Sequence, residues 1–231
     1  VRRKLSSSRS QAESYIKLGH VFVNGEKSQK PGKLVSLSDR IEISAVNQYV
    51  SRAGHKLASV ADKFELNFKD KAVLDVGSST GGFTDYALRH GAKKVIAVEL
   101  GTDQLHPSLR GSLRIELHEQ TDIRTVQALS TKIDVVVIDV SFVSLREVLP
   151  HVARLIRVET VIIAMVKPQF ETGEAGLKHK GVIKNDAMRR TIFKEFEQWA
   201  SRSFRIVAKA DSAVHGEKGN QERFYKLFLL K

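Results

Sequence analysis

The sequence predicts an α/β fold, with one sheet covered by helices and a small α+β unit ahead of it. Three observations carry this reading. From residue 72 onward, short apolar runs alternate with helical patterns, the sign of a largely parallel sheet. The first run, Ala72 to Val76, opens into a turn with three glycines, Gly77-Ser78-Ser79-Thr80-Gly81-Gly82, and a helical pattern begins at Phe83. Residues 1–46 have a different texture, with short elements and a strong Asn24-Gly25 hairpin signal.

The strand, glycine turn and helix at residues 72–88 suit a nucleotide-type pocket, because glycines let backbone approach a ligand that a Cβ would block. The spacing separates the candidate ligands. A phosphate-binding P-loop requires Gly-Lys-Ser/Thr, and no such tripeptide closes this turn. A dinucleotide fingerprint requires G-x-G-x-x-G, whereas Gly77 is followed here by Gly81 and Gly82. Asp75 ends the strand, where it would repel a pyrophosphate. A sulfonium cofactor with an amino acid tail suits that carboxylate better, which favours S-adenosylmethionine over other nucleotides or a purely structural turn. Glu99 ends the next apolar run, 22 positions after Gly77, about where a ribose-binding acid belongs. The candidate cofactor contacts are therefore Asp75, Gly77, Ser78, Ser79, Thr80, Gly81, Gly82, Phe83 and Glu99, with Ser79 and Thr80 placed to bond the methionine end.

Composition bounds the function class. The 231 residues suffice for one full α/β domain and something smaller beside it. There is no cysteine, which excludes disulfides, thiol chemistry and cysteine-based zinc sites and fits a reducing cytoplasm. The longest apolar runs are far too short to span a bilayer, and no signal peptide opens the chain. A formal net charge of +12 implies a polyanionic partner. Nucleic acid fits better than anionic lipid, because no long amphipathic helix with a basic face is evident.

In chain order, Val1 is not an initiator methionine, and the start reads as a piece lacking an N-terminal segment. Ser10 to Leu18 reads as a helix capped by Ser8 or Ser10 and ended by Gly19. Val21-Phe22-Val23 is a strand, Asn24-Gly25 a type I′ turn, Lys30-Pro31-Gly32 a second turn, and Arg40 to Ile43 a final strand. Residues 1–50 carry nine Lys/Arg against four Asp/Glu. Ser8 to Ala12, Ile16 and the run Gly19 to Gly25 resemble a small RNA-binding module. That module is shared by a small-subunit ribosomal protein, bacterial pseudouridine synthases and tyrosyl-tRNA synthetases, and its usual first helix is missing here. Residues 47–51 read as a linker to a second domain spanning 52–231.

In that second domain Leu57, Val60, Ala61 and Phe64 form a helical stripe. Lys56 stands just before it and, taken alone, reads as a solvated helix residue. Strands are expected at Lys94 to Leu100, Leu113 to Leu117, Ile133 to Asp139 and Thr160 to Val166, where Pro168 stops the pairing. A helix from Met188 to Trp199 and two closing strands, Phe204 to Lys209 and Phe224 to Leu230, complete the chain. One regularity stands out without any homologue. Asp75, Glu99, Asp139 and Lys167 each end a predicted parallel strand, the edge where open α/β sheets bind ligands.

Six stretches together resemble the TlyA family, known both as hemolysins and as ribosomal RNA 2′-O-methyltransferases. They are Val50 to Leu57, Asp75 to Thr84, Asp139-Val140-Ser141-Phe142, Leu149-Pro150, Val166 to Glu171, and Gly219 to Phe224. The resemblance implies a Rossmann-like S-adenosylmethionine-dependent methyltransferase sheet of FtsJ type, with a small α+β RNA-binding domain at the N-terminus. It implies a Lys-Asp-Lys-Glu tetrad for ribose methylation which, motif by motif, is Lys56, Asp139, Lys167 and Glu222. It also implies ribosomal RNA or ribosomal subunits as partner, with cytidine as the nucleoside. Asp122, in the loop after the third strand, is then the candidate acceptor for the adenine amino group, and Asp139 also borders the cofactor.

Such a tetrad makes chemical sense. A ribose 2′-hydroxyl is a poor nucleophile and must lose or share its proton as it attacks a methyl group. Lys167 is a candidate acceptor, its charged form disfavoured by burial and by the neighbouring Lys56 cation. Either lysine fits the role at this level. Asp139 and Glu222 would orient them, and no metal is required, since no His/Cys/carboxylate cluster has ligand spacing. The basic loop Gly173 to Asn185, with Lys178, His179, Lys180 and Lys184, is either a cover for the substrate or disordered. Asn185 stands where the family often has an acid. Two other classes compete. A membrane-active cytolysin needs spanning or amphipathic segments that this chain does not supply. A non-catalytic ribosome-binding protein does not need an intact tetrad.

Overall fold

The computed structural model describes residues 3, 5, 6, 9–44, 49–172, 182, 183, 185–216 and 219–230. The first helix, α1 (Arg9–Lys17), is followed by three short strands, β1 (Val21–Val23), β2 (Glu26–Ser28) and β3 (Ile41–Ile43). They form an antiparallel sheet in the order β2-β1-β3. Asn24 and Gly25 have φ of 53° and 83°, as a type I′ turn requires, and Val23 pairs with Glu26 across it. Gly19 ends α1 in the left-handed conformation, φ 73°, with its N–H on the Ile16 carbonyl. The expected capping serine Ser8 and the charged start at Arg2 and Lys4 lie outside the described residues.

The large sheet has seven strands in the order β6-β5-β4-β7-β8-β10-β9. Five are parallel: β4 (Ala72–Val76), β5 (Lys94–Val98), β6 (Ile115–His118), β7 (Val135–Ile138) and β8 (Val161–Val166). The last two, β9 (Phe204–Asp211) and β10 (Arg223–Leu229), form a hairpin whose β10 runs antiparallel to β8. Alternate residues of the central strands face opposite sides, so a sheet buried on both faces needs nearly continuous apolar runs. Val73, Val95, Val137 and Ile163 pack under α2 (Arg52–Ala61) and α3 (Gly82–Arg89). Leu74, Ile96, Val136 and Ile162 pack on the other side with α4 (Leu145–Leu155) and α6 (Asp186–Ala200).

Several boundaries differ from the sequence reading, each for a visible reason. Leu100 and Leu113, expected in strands, lie outside them and are exposed. The chain turns out of β5 at Glu99, whose carboxylate takes the Gly101 N–H. Helix α4 was not signalled, and Pro150 sits inside it at a cost of about 3 kcal/mol in propensity. Burial of Leu145, Val148, Leu149 and Val152 offsets that. Pro168 does end β8, but it also opens a one-turn helix, α5 (Pro168–Glu171), where its fixed φ is an asset. Asn185 caps α6 by accepting the Met188 N–H at 3.0 Å, a role an acid fills equally well.

Candidate active site

The carboxyl edge of the sheet opens into two adjoining cavities. An inner one of about 450 Å³ is lined by residues that include Lys56, Asp75, Asp139, Lys167 and Glu222. An outer one of about 580 Å³ is lined by residues that include Glu99, Gln104, Asp122 and Val140. Gly77, Ser79, Asp139, Ser141 and Phe142 border both, so the two form one cleft divided at the glycine turn.

Four of the ionisable groups in the inner cavity form two largely buried ion pairs. Lys167 Nζ lies 2.6 Å from Asp139 Oδ1 and donates to Ser141 Oγ at 2.8 Å. Lys56 Nζ donates to Glu222 Oε2 at 2.6 Å. Asp139 and Lys167 meet because each follows the last residue of neighbouring parallel strands, β7 and β8. Glu222 reaches the same edge by the opposite route. It precedes β10, which runs antiparallel to β8 with Arg223 opposite Val166, so the start of β10 lies beside the end of β8. Lys56 is buried on α2, not solvated as its position alone suggested. Gly216 permits the Glu222 placement, since a Cβ there would come within 2.6 Å of Glu222 Oε1.

Buried charges are costly unless paired. Burial pushes the Asp139 carboxyl up, but the Lys167 and Lys56 cations and the bond to Lys167 outweigh it, leaving its pKa below the ordinary value. Asp75 has no such cation. It is fully buried, accepts from Thr84 Oγ1 at 2.6 Å, and its Oδ1 has no partner among the described residues. Burial first, opposed by the Thr84 bond, and then the nearby Asp139 charge push its pKa up to about 7. A carboxyl left in this state faces a cavity that suits a cation.

The glycine turn is held by the next strand. Gly77 and Ser78 donate to the Val98 carbonyl, and Ser79 N–H donates to Glu99 Oε2 at 2.8 Å. Glu99 thus supports the turn with one oxygen and Gly101 with the other, while still bordering the outer cavity. Each carboxylate oxygen keeps a lone pair for a further donor. Ser78, Thr80 and Phe83 line the inner cavity. Gly81 and Gly82 do not border either cavity. A Cβ on Gly81, φ 86°, would strike the Leu105 and Leu109 side chains, and one on Gly82 would strike Ser51 and Ala53 of the α2 start. Both glycines are required for close packing at the start of α3. Asp122 borders the outer cavity but gives both oxygens to Arg124 and caps the 3₁₀ turn Ile123–Thr125.

Other cavity residues carried no signal in composition or periodicity. Phe142 is 91% exposed and adopts φ 66°, a conformation rare for a bulky residue. Its ring lies 5.2 Å from that of Phe170 at the cleft mouth. Ser51 and Arg52 at the start of α2 line the opposite wall. That wall continues into the small domain, where His20 meets His55 at 5.3 Å and Tyr49 meets His55 at 5.0 Å. Burial, then the charges of His20 and Arg89, push His55 down to about 4, so its ring is neutral at neutral pH. The basic loop at residues 173–181 and 184 lies outside the described residues. Among the described residues no group of three or more His, Cys, Asp or Glu could hold a metal ion.

Residues 49–227 match the profile of FtsJ-like methyltransferases, and residues 1–41 that of the S4 domain. The chain belongs to the FtsJ-like methyltransferase family. It is 35% identical over 221 residues to Hemolysin A of Brachyspira hyodysenteriae, covering 94% of this chain and 92% of the relative. It is 34% identical over 229 residues to the 16S/23S rRNA (cytidine-2′-O)-methyltransferase TlyA of Mycobacterium tuberculosis, covering 97% and 85% respectively. A solved hemolysin-type structure from Streptococcus thermophilus superposes over the whole chain and 86% of its own, with a TM-score of 0.77 and 31% identity. The relatives therefore carry two descriptions, hemolysin and rRNA methyltransferase.

Proposed function

We propose that the protein is a ribosomal RNA 2′-O-methyltransferase that takes its methyl group from S-adenosylmethionine and acts on a cytidine ribose, the target named for the Mycobacterium tuberculosis relative. The observation that carries this is the pair of buried lysine–carboxylate couples, Lys167–Asp139 and Lys56–Glu222, converging on the cavity beside the glycine turn. Asp75 and its unpartnered Oδ1 suit the cationic methionyl portion of the cofactor, while Glu99 suits the ribose hydroxyls. Bound there, S-adenosylmethionine supplies an electrophilic methyl group. To act as base, Lys167 must first release its own proton to solvent. The neutral amine then holds the attacking 2′-hydroxyl, takes its proton as the methyl group is transferred, and becomes again the cation that pairs with Asp139. Lys56, fixed by Glu222, adds a second positive group whose charge Asp139 also feels. The exposed Phe142 ring offers a face on which a base can stack while its ribose enters. Positioning supplies most of the acceleration in such a site. The S4 domain, with its excess of cations, adds affinity for the RNA backbone.

The test is transfer of labelled methyl from S-adenosylmethionine to isolated ribosomal subunits, followed by alkaline hydrolysis of the RNA. A 2′-O-methyl group blocks cleavage at its own nucleotide, so the label should appear in an alkali-resistant dinucleotide. Label in bases, or none, would refute the reading. The cytolysin alternative has less support, because no helix among the described residues is long and apolar enough to cross a membrane.

A further inference from the structure

The two turns that carry Asp139 and Lys167 are joined a second time, away from the reacting groups. After Asp139 the chain runs through Ser141 and Phe142 to Ser144, the N-cap of α4. After Lys167 it forms only the single turn α5 and ends at Glu171. The Glu171 side chain is buried and reaches back across this gap. Its Oε2 accepts from Ser144 Oγ at 2.6 Å and its Oε1 from the Leu145 N–H at 2.8 Å. Arg146 adds its charge, with Nε 3.7 Å from Oε2, and neither Nε nor Nη2 of that residue has a hydrogen-bond partner among the described residues. Burial raises the Glu171 pKa, so the fold accepts a penalty to keep an ionisable group here.

The geometry explains why a tie is needed. A one-turn helix has almost no stability of its own. Packing against α6 restrains α5 on one side only, and a shift of α5 relative to β8 turns the backbone of Lys167, which links the two. The carboxylate of Glu171 fixes the far end of that turn to the start of α4, and the loop leading into α4 carries Asp139 and Ser141, the partners of Lys167. The Lys167–Asp139–Ser141 contacts and the Glu171–Ser144–Leu145 contacts thus close a ring, with the Phe142–Phe170 ring contact between them.

We infer that Glu171 is a positioning residue, which sets the Lys167–Asp139 pair by clamping the turn after β8 to the first turn of α4. This rests on the methyltransferase reading for its consequence in catalysis, but its geometric content does not. The experiment therefore measures two things in Glu171→Gln. One is methyl transfer to ribosomal RNA. The other is the rate at which Lys167 is acylated by a small anhydride, read by peptide mass spectrometry, which needs no activity. Thr160→Val is the control. Thr160 is buried at the opposite end of β8, where its hydroxyl donates to the Ile133 carbonyl at 2.9 Å, so its loss lowers stability without touching either turn.

The expected result for Glu171→Gln is a fall in kcat of about tenfold or more, with cofactor Kd and RNA KM within about twofold, as for a misplaced catalytic group. Lys167 should become acylated several times faster, and the pH–rate profile should move. Thr160→Val, compared at an equal loss of Tm, should change none of these. Lys167 labelling at the wild-type rate in Glu171→Gln would overturn the inference. So would a Thr160→Val effect of the same size. A wild-type protein that transfers no methyl group would refute the proposed function alone, and the labelling would still decide the role of Glu171.

Discussion

Asp75→Asn tests the cofactor reading most sharply, because it should make the free protein more stable and its function worse. The carboxyl is fully buried with its Oδ1 unpartnered, and its pKa stands at about 7 against an ordinary 3.8. The folded form therefore holds a proton at pH values where the unfolded chain has already lost it. Its contribution to stability is fully present below the unfolded value and is lost as pH rises through about 7. A rise from 3.8 to about 7 corresponds to roughly 4 kcal/mol lost above that range. Asparagine has the same shape and no charge. It keeps a bond with Thr84 and removes that loss, so urea unfolding should show a gain at pH 8 of up to roughly 4 kcal/mol. The gain should shrink toward zero near pH 4. Cofactor binding should respond the other way. Calorimetry on the wild type should show affinity for S-adenosylmethionine rising with pH through about 7, as the carboxylate forms and meets a cation. The Asn variant should bind weakly and without that pH dependence. A variant less stable at every pH that still bound the cofactor normally would refute the reasoning, and would leave Asp75 as a partner for Thr84 only.

Three further outcomes are expected. Lys167→Ala and Lys167→Arg should each lower methyl transfer by at least about 100-fold while leaving cofactor affinity nearly unchanged, because a guanidinium cannot give up its proton; an active Arg variant would move the search for a base to Lys56. Gly81→Val should destabilise the protein through the Leu105 and Leu109 contacts and its left-handed φ, with cofactor affinity lost only in proportion to unfolding, as joint melting and calorimetry would reveal. Removing residues 1–50, with their nine cations and four acids, should weaken RNA binding and flatten its salt dependence, and an unchanged slope in filter binding would count against the S4 domain as the main RNA contact.

Much of the fold was legible because a sheet buried on both faces leaves runs such as Val135–Ile138 and Val161–Val166, which fit no solvated element. Asn24-Gly25 was equally plain, since few dipeptides tolerate two positive φ angles in succession. Helix α4 was hidden by Pro150, and α5 is too short to show a period. Leu113 shows the opposite failure. An apolar residue beside a strand reads as part of it, yet this one is fully exposed.

The site divides along the same line. A rule that looks for ionisable groups at the ends of parallel strands finds Asp139 and Lys167, because both the strand and its end are visible in one short window. The rule has no access to Glu222, which begins a strand. Only the reversal of β10 against β8 carries it to the edge that lines the inner cavity, and that reversal is a property of the topology. Lys56 is further still from such a rule, since a lysine among helical residues acquires meaning only when a buried carboxylate 2.6 Å away explains its burial. The two pairs are therefore of different kinds. Lys167–Asp139 is set by adjacent strand ends, with short turns behind it that need bracing. Lys56–Glu222 spans 166 residues and joins α2, on which the small domain rests through His20 and His55, to the closing hairpin. Under the proposed function, a substitution at the domain joint is therefore expected to act on Lys56 first, and one in α4 or α5 on Lys167.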